Sequence, residues 1–274
     1  MPELPEVETV RRTLEQLVLG KTISEVKVYW PKIIKRPDDV EHFKHLLIHQ
    51  EITEIGRRGK FLLIYLTDYA LVSHLRMEGR YGLYSTADEL EPHTHVIFEF
   101  TDGTSLRYKD VRKFGTMHVF PRGEEEKHLP LSHLGPEPFS QDFTIELLQK
   151  KLSKTERTIK AVLLDQKVLV GLGNIYVDEA LFRAGIHPDR KAKSIKQTEL
   201  KKLHTEIILT LEEAVEQGGS TIRSYVNSQG QIGMFQQQLY VYSRKEEPCR
   251  RCSTLIEKKV SAGRGTHYCP KCQK

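Results

Sequence analysis

All four cysteines of this 274-residue chain stand at its C-terminal end, spaced C-x2-C-x16-C-x2-C as Cys249, Cys252, Cys269 and Cys272. Two pairs at this separation can turn back on one tetrahedral ion, and Zn²⁺ accepts four thiolates. Four sulfur ligands leave no open coordination position, so one structural zinc ion is expected. The competing reading, a pair of redox CxxC motifs, leaves unexplained why the pairs share a distance that closes one site. His267 is a conceivable ligand but is superfluous beside four cysteines. Residues 256–268, between the pairs, read as a β-hairpin whose tip runs Ala262-Gly263-Arg264-Gly265-Thr266. An arginine between glycines can turn its fork of donors toward phosphate, although an ordinary exposed hairpin arginine looks the same.

The cysteine module is also the basic part of the molecule. Between residues 240 and 274, nine Lys/Arg face three acids, a net +6 against +5 for the whole chain. Zinc with four thiolates lowers the module to roughly +4. A polyanion is the natural partner, with a solubilising tail as the plain alternative. No stretch approaches the ~20 apolar residues that span a bilayer. The acidic start MPELPEVETV lacks the basic-then-apolar order of a signal peptide. These features point to the cytoplasm, where clustered cysteines serve metals rather than disulfides.

Upstream, two periodicities alternate. Residues 5–19 read as a helix, with Pro5 suited to its first position, Glu6 and Glu8 in the first turn and Gly20 at the stop. Val7, Val10, Leu14, Leu17 and Val18 form its buried stripe. Seven strand-like runs follow, at 22–29, 52–57, 61–66, 71–75, 95–100, 105–108 and 116–120. Asp102-Gly103 marks a hairpin between two of them. Short strands with frequent turns predict a β-sandwich, with a second helix over 38–49. Residues 121–138, rich in charge and proline, read as a linker. Helical spacing then covers 144–152, 159–164, 174–184 and 197–216, and the polar segment 218–238 reads as a loop. The fold class is therefore α+β, divided into 1–131, 132–238 and 239–274.

The chain begins Met1-Pro2-Glu3-Leu4-Pro5-Glu6. Initiator methionine is commonly removed before a small residue such as proline, which leaves the secondary amine of Pro2 free. An α-amino group titrates near ~8, far below lysine at ~10.4, so a useful fraction is neutral and nucleophilic at pH 7. Such an amine can attack a sugar C1′, displace the base and form an iminium that acidifies the C2′ proton. Glu3 sits beside it as a proton donor, and Glu6 lies one turn on. A lone Met-Pro-Glu start, however, also reads as a well-charged helix N-terminus.

Several strings occur together and in order. PELPEVETVRR, GRRGKFLL (56–63), HLRMEGR (74–80), DVRKFG (110–115), GLGNIYVDEALF (171–182), GGSTIRSY (218–225) and the terminal C-x2-C…GRGTHYCPKCQ closely resemble the bacterial formamidopyrimidine-DNA glycosylases. The matches run from residue 2 to residue 273. The resemblance implies a β-sandwich flanked by helices, a helix–two-turn–helix domain and a zinc-ribbon finger, with DNA in the cleft between two lobes. It implies Pro2 as nucleophile and Glu3 as its acid partner. Lys60 and Arg264 would clamp phosphates at the lesion and assist catalysis. Asn174, His74 and Tyr242 would be further phosphate contacts. Met77, Arg112 and Phe114 match the triad that fills the stack when a base is extruded. Without the resemblance, Met77 and Phe114 read more simply as core. Residues 218–238 correspond to a lesion-capping loop whose Ser220, Thr221, Ile222, Arg223 and Tyr225 would read the base, with Glu78 nearby.

The implied activity is removal of 8-oxoguanine and formamidopyrimidines opposite cytosine, followed by β,δ-elimination. The implied partner is double-stranded DNA with oxidised purines or abasic sites, bound by a monomer. An endonuclease VIII-like enzyme for oxidised pyrimidines and a noncatalytic zinc-ribbon DNA-binding protein are the competing readings. The chain departs from the family at Tyr242-Ser243-Arg244, where glycine commonly replaces the serine. That puts a glycine-specific backbone angle in question.

Overall fold

The computed structural model describes residues 1–220 and 233–274, which form two compact units. The first comprises Met1–His133 and Gly218–Gly233, the second Leu134–Gln217 and Met234–Lys274. Thr221, Ile222, Arg223 and Tyr225 lie outside the described residues.

The first unit is a β-sandwich. Helix α1 (Leu4–Val18) opens it, with Pro5 in the first turn and Val7, Val10, Leu14 and Val18 buried. After β1 (Ile23–Val28) come the short β2 (Ile34–Arg36) and α2 (Val40–Leu47). Then follow β3 (Ile52–Arg58), β4 (Phe61–Leu66), β5 (Tyr69–His74), β6 (Arg80–Ser85), β7 (Thr94–Phe100), β8 (Thr104–Lys109) and β9 (Thr116–Pro121). One sheet runs β1-β7-β8-β6, the other β2-β9-β5-β4-β3. Alternate residues of each strand point to opposite faces, so Leu62, Ile64, Leu71, Met117 and Val119 share one core with Val96, Phe98, Leu106 and Tyr108.

Among the described residues, the sequence expectation of seven strands is corrected to nine. β2 has only three residues and is followed by Pro37; β6 carries Gly82 and charged Arg80, which break the apolar alternation. The 121–138 segment read as a linker contains the division between the units at His133 and Leu134, and carries a 3-10 turn at Glu125–Lys127.

The second unit is helical: α3 (Ile145–Leu152), α4 (Ile159–Leu163), α5 (Asn174–Ala184) and α6 (Gln197–Glu216). The α5 helix is almost wholly buried, its ten residues from Ile175 to Ala184 included, and ends on Gly185 at φ 78°. A left-handed cap of this kind favours glycine. The hairpin β10 (Glu257–Ser261) and β11 (Arg264–Tyr268) completes the unit. Its turn is Ala262-Gly263, both at positive φ. Arg264 is therefore the first residue of the returning strand, paired with Ser261, rather than part of the tip itself. Among the described residues, no helix is long and apolar enough to cross a membrane.

Candidate active site

The chain start is fixed by its own carboxylates. Pro2 is buried, and Glu3 and Glu6 are only 2% and 4% exposed. Glu3 caps α1 reciprocally with Glu6, whose Oε2 accepts the Glu3 N–H at 2.8 Å. The other oxygen of Glu6 accepts the Ser220 N–H at 2.7 Å. One buried carboxylate thus joins the first residues to the base of the 218–233 segment. Gly219 makes this possible: its φ is +81°, and a Cβ there would stand 2.7 Å from Glu6 Oε1. The sequence offered Glu6 only a supporting place; a contact across 214 positions carries no local signal.

Lys60 and Gly59 form the two-residue turn between β3 and β4, with Gly59 at φ 56°. Lys60 is 6% exposed. Register pairs Phe61 with His74, and their rings meet edge-on at 4.5 Å, which brings Lys60 and His74 together. Burial, then the charges of Arg76 and Lys60, push His74 down to about 3. Its Nδ1 accepts the Arg76 N–H at 2.9 Å. The neutral ring must therefore carry its proton on Nε2, as a donor without charge.

Met77 and Glu78 occupy the turn between β5 and β6, half-buried and exposed respectively. Arg112 and Phe114 lie on the loop from β8 to β9. Its backbone wraps around Asp110, a residue 1% exposed. That carboxylate accepts N–H bonds from Arg112 at 3.1 Å, Phe114 at 2.9 Å and Gly115 at 2.8 Å. Gly115 is obligatory, since a Cβ would fall 1.8 Å from Tyr108 Oη. The loop holds Phe114 52% exposed, with the Arg112 guanidinium 4.9 Å from its ring. A large apolar side chain held out on a braced loop is not a core residue, and the simpler packing reading of Phe114 is set aside.

In the second unit, Asn174, Tyr242 and Arg264 converge on β11. Asn174 opens α5 and donates from Nδ2 to the Gly265 carbonyl at 2.8 Å. Tyr242 meets His267 edge-on at 5.1 Å, and Arg264 is exposed. Two buried acids underneath, absent from the sequence expectations, hold this arrangement. Asp178 accepts from Lys160 Nζ at 2.6 Å and from the His267 N–H at 2.9 Å. Lys160 also donates to Thr266 Oγ1 at 2.7 Å, and that hydroxyl bonds the Arg264 carbonyl at 3.0 Å. Glu179 gathers the N–H groups of Tyr240, Val241 and Tyr242 at 2.8–2.9 Å. Burial pushes the Glu179 carboxyl up, against these bonds, which favour its charged form. Ser243 adopts φ 61°. The left-handed angle questioned at this position is kept, by serine in place of glycine.

The four cysteine sulfurs all lie within 4.8 Å of one another, with Cys249–Cys272 at 3.9 Å and Cys252–Cys269 at 3.5 Å. Zn–S bonds of ~2.3 Å at tetrahedral angles put sulfurs ~3.8 Å apart, so the donors fit one zinc. No cysteine sulfur is left for another role.

Residues 1–117 match the formamidopyrimidine-DNA glycosylase N-terminal domain, residues 134–226 its H2TH domain, and residues 246–274 the zinc finger found in FPG and IleRS. The chain is 67% identical to the formamidopyrimidine-DNA glycosylase of Shouchella clausii over 273 residues, covering 100% of this chain and 99% of that one. The Bacillus subtilis protein of the same name is 61% identical at the same coverage. The chain belongs to the formamidopyrimidine-DNA glycosylase family. Membership makes it a DNA glycosylase and abasic-site lyase of base-excision repair, with a finger built on one structural zinc. Its fold is also that of a Lactococcus lactis Fpg in complex with abasic-site DNA, at a TM-score of 0.94, 41% identity and 99% coverage of both chains. A Lactococcus lactis Fpg mutant bound to Fapy-dG DNA matches equally, with a TM-score of 0.94 and 100% coverage. The formamidopyrimidine-DNA glycosylase frame thus spans every site residue described above.

Proposed function

We propose that this glycosylase removes 8-oxoguanine and formamidopyrimidines from duplex DNA with Pro2 as nucleophile. After loss of Met1, the Pro2 nitrogen attacks C1′ and the C1′–base bond breaks, the base leaving with a proton. Glu3 protonates the sugar ring oxygen, the ring opens, and the C1′–nitrogen bond becomes an iminium. Loss of a C2′ proton then expels the 3′ phosphate, and a second elimination expels the 5′ phosphate. Hydrolysis of the remaining iminium by water returns the Pro2 amine and releases the sugar fragment as an aldehyde. The observation that carries this reading is the pair of buried carboxylates, Glu3 and Glu6, packed at the one residue able to offer a low-pKa amine.

Around that chemistry, Lys60, His74, Asn174, Tyr242 and Arg264 hold phosphates. Met77, Arg112 and Phe114 replace the extruded nucleotide in the stack. Ser220 and Glu78 approach the lesion, as do Thr221, Ile222, Arg223 and Tyr225 of the capping segment. The protein works as a monomer in the cytoplasm, in three segments, 1–131, 132–238 and 239–274. The test of substrate class is a comparison of duplexes carrying 8-oxoguanine opposite cytosine with duplexes carrying thymine glycol. Faster cleavage of the purine lesion is expected; a preference for thymine glycol assigns the enzyme to oxidised pyrimidines instead.

A further inference from the structure

Most cations of the first unit are spoken for. Lys44, Arg57, Arg58 and Arg122 each pair with an acid. Lys35, Arg36 and Arg76 are exposed and, among the described residues, make no ion pair. All three bear on His118. Arg36 is its register partner across the parallel β2–β9 pair. The Arg36 guanidinium lies 4.7 Å from the centre of the buried Phe120 ring, and His118 stacks on the same ring at 6.1 Å. Lys35, Arg36 and His118 line an open pocket of about 470 Å³ with Pro37, Asp38 and Leu129. Asp38 is the single acid there, so the lining carries a net positive charge.

The imidazole itself has no answering acid. Its Nδ1 is buried with no hydrogen-bond partner among the described residues. Burial and then the charges of Lys35, Arg36 and Arg76 hold it down to about 4. Unpaired cations crowded around a neutral imidazole repel one another until an anion sits among them.

The pocket is continuous with the proposed DNA surface. Register pairs His118 with Val72 and Thr116 with His74, so His118 stands two residues, ~7 Å, along the sheet from the proposed phosphate contact. Strand β9 begins directly after the loop that carries Arg112 and Phe114. Lys113 of that loop lies 4.2 Å from the centre of the Trp30 ring, and Lys32, from the segment leading into β2, lies 5.6 Å from the same ring. The basic side chains thus form a track from the loop to the pocket.

We propose that this pocket seats a phosphodiester of the duplex flanking the nucleotide that Phe114 and Arg112 address. The inference rests on the reading of that loop as the DNA wedge. It adds an anchor on the β2 edge, away from the reacting sugar. Arg36 supplies its fork of donors and Lys35 a point charge.

Affinity for an uncleavable abasic-analogue duplex, measured between 50 and 200 mM salt, tests it. Each phosphate neutralised contributes ~0.9 to the slope of log affinity against log salt. The double variant Lys35→Ala/Arg36→Ala loses that one contact and should be shallower than wild type by ~0.9, so its deficit narrows about 3.5-fold across that range. Lys44→Ala, which removes a paired lysine on α2, should run parallel to wild type. Arg36→Lys should restore the slope, and unchanged melting temperatures establish that the variants fold. Parallel lines for the double variant overturn the proposal. If the lines run parallel while inorganic phosphate raises the melting temperature of wild type but not of the double variant, the pocket takes a free anion rather than the DNA backbone. Failure of the Pro2 reading has a separate signature, absence of a covalent adduct in wild type, so the two claims fail apart.

Discussion

At the scale of single residues, the site depends on carboxylates fixed by backbone N–H groups and on imidazoles whose charge state is set by packing. Glu3 is buried and held in a reciprocal cap, its carboxyl accepting the Glu6 backbone N–H. Glu3→Gln keeps an acceptor for the cap but removes the acid. Single-turnover base release should fall by ~10²–10⁴-fold with little change in melting temperature; wild-type turnover by this variant removes Glu3 from the proton transfer. His74 gives a second test. It is held down to about 3 in the folded chain, and near 6.5 it titrates freely once unfolded. Between those values the unfolded chain binds a proton that the folded chain refuses, so stability is whole above pH 6.5 and declines as pH falls toward 3. The loss for His74 alone reaches on the order of 3 kcal/mol by pH 4. His118, held down to about 4, adds to the same slope. Melting curves across pH 4–7 should steepen on the acid side, and His74→Gln should flatten part of that dependence. An equally steep profile in the variant contradicts the buried, neutral imidazole.

At the scale of elements, the braced 110–115 loop is the clearest case of structure preparing function. Asp110 fixes three backbone N–H groups, so Phe114 stays exposed without collapsing onto the sandwich. Phe114→Ala should leave the loop folded, because the bonds run to the backbone. It should slow release of 8-oxoguanine from a duplex by ~10–100-fold, given that unstacking costs a few kcal/mol. Cleavage at a preformed abasic site, which has no base to extrude, should change far less; equal losses on both substrates make Phe114 a general binding residue. The helices were legible in the sequence because their stripes are local: Val7, Val10, Leu14 and Val18 predict the buried face of α1. So were the four cysteines, whose spacing alone closes a site. The edge strand β2 was not, because three residues carry no period. The contacts of Glu6 with Ser220 and of Asp178 with Lys160 and His267 were also hidden. They join residues far apart in the chain, and only the folded backbone brings them together. Pro2, Glu3 and Arg264 could be picked out from the residues themselves, whereas Lys60, His74, Asn174, Tyr242 and the Met77, Arg112 and Phe114 set were visible only through the family resemblance.

At the scale of the whole molecule, two units divide the work. The sandwich unit carries Pro2, Glu3, Lys60 and the 110–115 loop, and it includes the base of the 218–233 segment. The helical unit carries Asn174 on α5, Tyr242 against His267, and Arg264 on a hairpin secured by zinc and by the buried Lys160–Asp178 pair. The basic excess lies in the finger, while the sandwich, among the described residues, adds cations without ion pairs beside its 110–115 loop; both suit a phosphate backbone. The account stands on a bond between the Pro2 nitrogen and deoxyribose C1′. Borohydride reduction during cleavage of an 8-oxoguanine duplex, followed by peptide mass spectrometry, reads that bond directly. A stable adduct carried on Pro2, in chains that have lost Met1, is the predicted result. Full cleavage with no adduct, or an adduct on a lysine with Met1 still attached, contradicts it.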